Sequence, residues 1–258
     1  MLIQKLSSTE LQVEIDLEHG GRFSSIKFQG HEFVIPNNQR VLHWGWYPMV
    51  PWAGRINKGE YLGHNSEIKL PTDLMPPHAI HGFGHSQVWQ NDGDGRSSCT
   101  FTDHFNGASA KQEIQVVDNQ IFYNLRYLPG TCELPAWLGL HTWLPWSFDG
   151  NSKATINFEA DYMLEQSSDG IPTGNLIPAS DGPWDDTFVD LVQAPKIIWP
   201  GVASLEISSP ASWWTCYTKD PNTFCVEPLN APPDAVRLNR LVGNTHNLDV
   251  IFTFNQEP

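Results

Sequence analysis

Apolar residues recur at every second position through much of this chain. Leu11, Val13, Ile15 and Leu17 alternate with other residues, and Gly20-Gly21 then turns the backbone. Ile121, Tyr123, Leu125 and Tyr127 repeat the pattern after an Asp118-Asn119 turn. Ile156, Phe158 and Ala160, then Leu205 and Ile207, then Leu248, Val250, Phe252 and Phe254 continue it. Successive side chains of a strand point to opposite faces, so a period of two builds strands with one apolar face each. No long segment carries the 3.6-residue period of an amphipathic helix. Twenty Gly and twenty Pro, with Asn and Asp clusters, supply the turns between strands. The pattern predicts an all-β fold: a large antiparallel β-sandwich, as one domain over residues 1–258. A chain of 258 residues can bury a sizeable core.

Bulk properties remove several function classes. The formal net charge is -14, from 15 basic and 29 acidic residues. Nucleic acid and anionic membrane surfaces need basic patches, so neither is expected as a partner. A highly phosphorylated ligand is mildly disfavoured. The first residues lack the apolar core and cleavage site of a secretory signal, and no stretch approaches the ~18–20 apolar residues of a spanning helix. Cys99, Cys132, Cys216 and Cys225 lie far apart without CxxC spacing. Reduced thiols and a cytoplasmic location follow. Cys225 lies two residues before Glu227, on the same strand face, and reads as a small buried filler. The Asp92-Gly93-Asp94-Gly95 stretch lacks the remaining ligands of a calcium loop and reads as a hairpin turn.

Four segments carry chemistry. In Phe224-Cys225-Val226-Glu227-Pro228-Leu229, a lone carboxylate sits in an apolar strand-like run before a proline-rich turn. Desolvation there disfavours the charge and raises proton affinity, which suits a general base; a structural Glu at a strand end is the plain alternative. Pro51-Trp52-Ala53-Gly54-Arg55-Ile56 presents one Arg; His78-Ala79-Ile80-His81-Gly82-Phe83-Gly84-His85 presents three His. Leu138-Gly139-Leu140-His141-Thr142-Trp143 presents another His among apolar residues. Aromatic faces with a few aimed polar groups are what a sugar ring requires, since its C–H faces stack and its hydroxyls need partners.

Taken in order, these segments resemble the aldose 1-epimerases, or galactose mutarotases. Pro51 to Ile56 is similar to that family's arginine motif, His78 to Gly84 to its first histidine motif, and His141 to its second. Ile171-Pro172-Thr173-Gly174 and Trp184-Asp185-Asp186-Thr187-Phe188 resemble its aspartate region, and Phe224 to Ala235 its glutamate motif. Two departures stand out: the chain is shorter than typical galactose mutarotases, and Thr142-Trp143 follows the second histidine where better-known members have Pro-Tyr-Phe. It looks closer to a short bacterial branch.

The resemblance implies an isomerase that interconverts α and β anomers of a free monosaccharide, needing no metal and no cofactor, as a monomer or homodimer. It casts Glu227 as the base and His141 as the acid. Arg55 and His81 would bind sugar hydroxyls, and Asp185 would accept hydrogen bonds from others, with Asp186 the alternative. Three other readings stay open. His78, His81 and His85, with His141, could hold a metal. A hexose-6-phosphate epimerase would need extra cations such as Lys58, Arg237 or Arg240 at the phosphate. A non-catalytic sugar-binding protein could use the same fold.

Overall fold

A computed structural model of the chain describes residues 2–63, 67–148, 150, 152–243 and 245–257. Two large antiparallel sheets pack face to face. The larger runs from Ile3–Ser7 at one edge through Leu11–Asp16, Arg22–Phe28, Trp46–Met49, Gly139–Thr142, Thr223–Leu229, Trp213–Tyr217, Asp185–Leu191 and Ala160–Gln166 to Pro172–Pro178. The smaller runs from Gln90–Gly93 through Arg96–Thr100, Ser109–Val117, Gln120–Leu128, Asn247–Gln256, Ala203–Ser208 and Lys196–Trp199 to Thr155–Asn157. The expected all-β sandwich is present. Helical structure among the described residues amounts to three short 3-10 turns, none of them long enough to cross a membrane.

Alternation explains the smaller sheet directly. Gln120–Leu128 and Asn247–Gln256 bury every second side chain. Their inward residues meet the larger sheet, with Trp46 against Phe252 at 4.9 Å between ring centroids and Phe28 against Phe254 at 5.6 Å. The middle strands of the larger sheet behave differently. Trp46–Met49 and Gly139–Thr142 are buried at every position, and Thr223–Leu229 at all but the first. One face of these strands packs on the smaller sheet, and a layer of loops covers the other. Strands covered on both faces read as continuous apolar runs, which is why Glu227 stands among apolar residues.

The loop layer has its own aromatic cluster. Trp52 meets Phe83 at 4.9 Å, and Tyr61 lies parallel to Trp137 at 5.9 Å. Trp137 Nε1 donates to the Ala53 carbonyl at 2.9 Å. This cluster anchors a two-stranded ladder in which Arg55–Ile56 pairs with Ala79–Ile80.

One expected strand divides. The alternating Ile156, Phe158 and Ala160 fall on Thr155–Asn157 of the smaller sheet and Ala160–Gln166 of the larger. The chain crosses between sheets there, and Phe158 packs on Phe188 at 4.8 Å and Trp184 at 5.9 Å. Gln90–Gly93 and Arg96–Thr100 form the hairpin expected at Asp92 to Gly95. All four cysteines are free.

Candidate active site

The strands carrying His141 and Glu227 part company at the middle of the larger sheet. Gly139 pairs with Leu229, and Leu144 with Phe224. Between these points the Thr142 hydroxyl stands in for backbone rungs: it donates to the Val226 carbonyl at 2.7 Å and accepts from the Val226 N–H at 3.2 Å. In the gap, His141 Nε2 approaches Glu227 Oε1 to 3.3 Å. Both residues are nearly sealed from solvent, at 6% and 3% exposure.

Aromatic rings fix the imidazole. Tyr47, opposite His141 in register, stacks on it at 4.6 Å and 22°. Trp143 flanks the same ring at 5.1 Å, and His81 meets it edge-on at 5.0 Å. The Tyr47 hydroxyl and Trp143 Nε1 both donate to the Leu42 carbonyl, at 3.2 and 2.6 Å.

The two-stranded ladder delivers Arg55 and His81. His81 has a left-handed backbone, with φ of 57°. Its N–H donates to the Gly54 carbonyl at 3.1 Å, and its Nδ1 accepts from the Gly54 N–H at 3.3 Å. The ring proton therefore resides on Nε2, as a donor for a ligand. Gly82 follows, also left-handed, and a Cβ there would lie 2.2 Å from the Val50 carbonyl oxygen. Only glycine lets the chain pass so close.

Arg55 Nη2 lies 3.1 Å from Asp185 Oδ2, and its Nη1 donates to the Gly170 carbonyl at 3.4 Å. The Gln166 side chain donates to the Asp185 carbonyl at 2.9 Å. Asp186 instead turns its carboxylate back to the Asp185 N–H at 3.0 Å and does not line the pocket. Arg55, His81, His141, Asp185 and Glu227 thus converge on one cavity of about 260 Å³. That is near the lower end of small-molecule sites, roughly 300 Å³, and suits a single sugar ring.

Burial dominates the electrostatics. It pushes the Glu227 carboxyl well above its ordinary range, with Asp185 adding to the effect and Arg55 opposing it. Burial likewise holds His141 well below its ordinary value, reinforced by His43, Arg22 and His85. His81 is lowered in the same way, by burial first and then by His141, His85 and Arg55. Arg22 is itself buried behind the site. Its guanidinium sits 4.9 Å from the Tyr47 ring centroid and donates to carbonyls of His19, Val41, Trp44 and His85. Burial thus disfavours the charged form of each partner, the carboxylate of Glu227 and the imidazolium of His141.

The remaining sequence candidates lie elsewhere. His78 Nδ1 accepts from the Lys58 N–H at 3.1 Å, outside the cavity. His85 packs behind Tyr47 at 5.7 Å. The three-histidine spacing therefore does not gather a metal site with His141 among the described residues. Of the tryptophans, Trp143 lines the cavity, whereas Trp52, Trp89 and Trp146 do not. Sequence reading missed Tyr47, Gln166, Thr187, Thr215 and Tyr217, all of which line it. Strand register was the signal for most of them: Tyr47 pairs with His141, Thr215 with Glu227 and Thr187, and Tyr217 with Asp185.

A family model described as aldose 1-epimerase matches residues 3–197. No curated protein matches the chain. Among solved structures, a protein provisionally assigned as an aldose 1-epimerase from Escherichia coli K12 superposes with a TM-score of 0.83 at 17% identity, covering 99% of each chain. A galactose mutarotase-like protein from Clostridium acetobutylicum gives 0.78 at 15% identity, covering 98% of this chain and 94% of the other. The Slr1438 protein from Synechocystis sp. PCC 6803 gives 0.77 at 16% identity, covering 99% and 96%. At these identities the likeness is one of fold.

Proposed function

This chain belongs to the aldose 1-epimerase family, and we propose that it is a mutarotase acting on a free, uncharged aldose. The single observation carrying this reading is the sealed pair of His141 Nε2 and Glu227 Oε1, 3.3 Å apart at the cavity. Ring opening needs a base at the C1 hydroxyl and an acid at the ring oxygen. Glu227 takes the hydroxyl proton, a C=O bond forms at C1, and the C1–ring oxygen bond breaks. His141 supplies the proton that the departing ring oxygen takes up. Rotation about C1–C2 and the reverse steps close the ring on the other face.

Proton accounting suits the site. The reactive form is carboxylate with imidazolium, and opening converts it to the neutral pair. A desolvated pocket favours the neutral pair, so burial drives the opening step from the charged form and makes that form the minor one at rest. The single proton is returned on closure. Arg55, Asp185 and His81 offer donors and an acceptor for the other hydroxyls, and Trp143 and Tyr217 offer apolar faces.

Charge favours an unphosphorylated sugar. Among the described residues, Arg55 is the one Lys or Arg lining the cavity, and Asp185 already pairs with it. Arg237 is engaged by Asp234 and the Pro172 carbonyl, and Arg240 donates to the Gly174 carbonyl. A phosphate dianion would meet Asp185 and Glu227 without a free cation.

Polarimetry on freshly dissolved α-anomers of glucose, galactose, xylose and arabinose tests the reading. Enzyme-dependent acceleration for at least one is expected. No acceleration for any of them, with acceleration of glucose 6-phosphate, would replace it with the phosphosugar reading.

A further inference from the structure

Cys225 shares the gap that holds His141 and Glu227. It precedes Glu227 by two residues on one strand, on the same face. One ligand atom from each of His141, Cys225 and Glu227 lies within 4.8 Å of the other two, and all three residues are buried. Imidazole, thiolate and carboxylate together are a donor set that zinc-class cations select. Bonds of about 2.0–2.3 Å place tetrahedral ligand atoms roughly 3.3–3.8 Å apart, so closure of about an ångström completes three-point coordination. The 3.3 Å separation of His141 Nε2 and Glu227 Oε1 already meets that spacing.

We propose that His141, Cys225 and Glu227 form an inhibitory site for a zinc-class divalent cation. Three protein ligands leave a fourth position free, and two of the three, His141 and Glu227, line the cavity. Binding requires the deprotonated ligand forms, so protons held by these three side chains pass to solvent. The cation then holds the lone pairs that would otherwise take and give the proton at the sugar. This kinetic consequence rests on the mutarotase reading; the binding does not. Cys225 is absent from the cavity lining, so its removal spares the proton-transfer pair.

The test is a cobalt titration followed by absorbance, with zinc inhibition of mutarotation run in parallel. The wild-type chain is expected to bind one Co2+ with a thiolate-to-cobalt charge-transfer band, and Cys225→Ser to lose that band. Zinc should inhibit the wild type, and a chelator should reverse it. Cys225→Ser should keep basal turnover and need at least about tenfold more zinc for the same inhibition. Cys225→Ala serves if a buried serine hydroxyl impairs folding. A wild-type chain with no thiolate band at saturating cobalt overturns the proposal, as does equal zinc sensitivity in wild type and both variants. If no aldose is turned over, the mutarotase reading fails while the cobalt band still decides the metal site.

Discussion

His141 Nε2 and Glu227 Oε1 lie 3.3 Å apart on adjacent strands that are bridged there by a threonine hydroxyl instead of backbone rungs. The proposed acid and base are thereby held by the sheet itself. Glu227→Gln keeps the size of the side chain and removes the base. Mutarotation should fall about 10²–10⁴-fold, and His141→Asn should be comparably severe. The double variant should lose much less than the product of the two, because both act on one proton transfer. Initial rates by polarimetry measure all three. A Glu227→Gln protein at the wild-type rate would move the base elsewhere.

Glu227→Gln should also change how stability depends on pH. A carboxyl whose folded proton affinity is raised contributes stability that is fully present below its ordinary value of 4.5 and lost as pH rises through the folded value. Glutamine has no such dependence. Thermal melting should show the variant gaining on the wild type as pH rises from about 4.5 through neutrality. A constant difference across that range would mean Glu227 is not desolvated.

Catalysis should have an acid limb and an alkaline limb, both set by the His141–Glu227 pair. The acid limb requires a second proton on the pair, and His141 is held well below its ordinary 6.5. The alkaline limb requires loss of the single proton, and Glu227 is held well above its ordinary 4.5. The two apparent values belong to the pair and not to either residue. A kcat/KM profile with a simple midpoint at 6.5 would contradict this arrangement.

Arg55→Leu should raise KM more than it lowers kcat. Loss of a hydrogen bond to a charged group is worth about 1.5–3 kcal/mol, or roughly 10–150-fold in affinity. The Arg55–Asp185 contact joins segments 130 residues apart in sequence, and a double-variant cycle with Asp185→Asn should show coupling between them. Steady-state kinetics on the preferred sugar separates the two parameters; an unchanged KM would remove Arg55 from the binding surface.

Thr142→Val preserves shape but leaves the Val226 N–H and carbonyl without their partner. The cost should be about 1–3 kcal/mol of stability, read by denaturant unfolding. Turnover should fall as well, since the hydroxyl sets the spacing of the strands that carry His141 and Glu227. A stable variant with reduced turnover would isolate the positional effect.

The sequence by itself determined the fold class and the identities of the principal polar groups. Alternation at Leu11 to Leu17 and Leu248 to Phe254 marks strands wherever one face is covered, because burial acts on every second side chain. The apolar run around Glu227 marks a strand covered on both faces, and the same burial raises its proton affinity. Only the tertiary structure decided which strands are neighbours. Tyr47 and Thr215 carried no local mark, and they border the site because their strands pair with those of His141 and Glu227. It likewise selected Asp185 over the adjacent Asp186, since alternate side chains of a strand face opposite ways and only Asp185 meets Arg55. It also divided the run from Ile156 to Ala160 between two sheets. Local pattern reports which faces are buried; register between distant strands depends on the packing of the whole sandwich, and the cavity is made from that register.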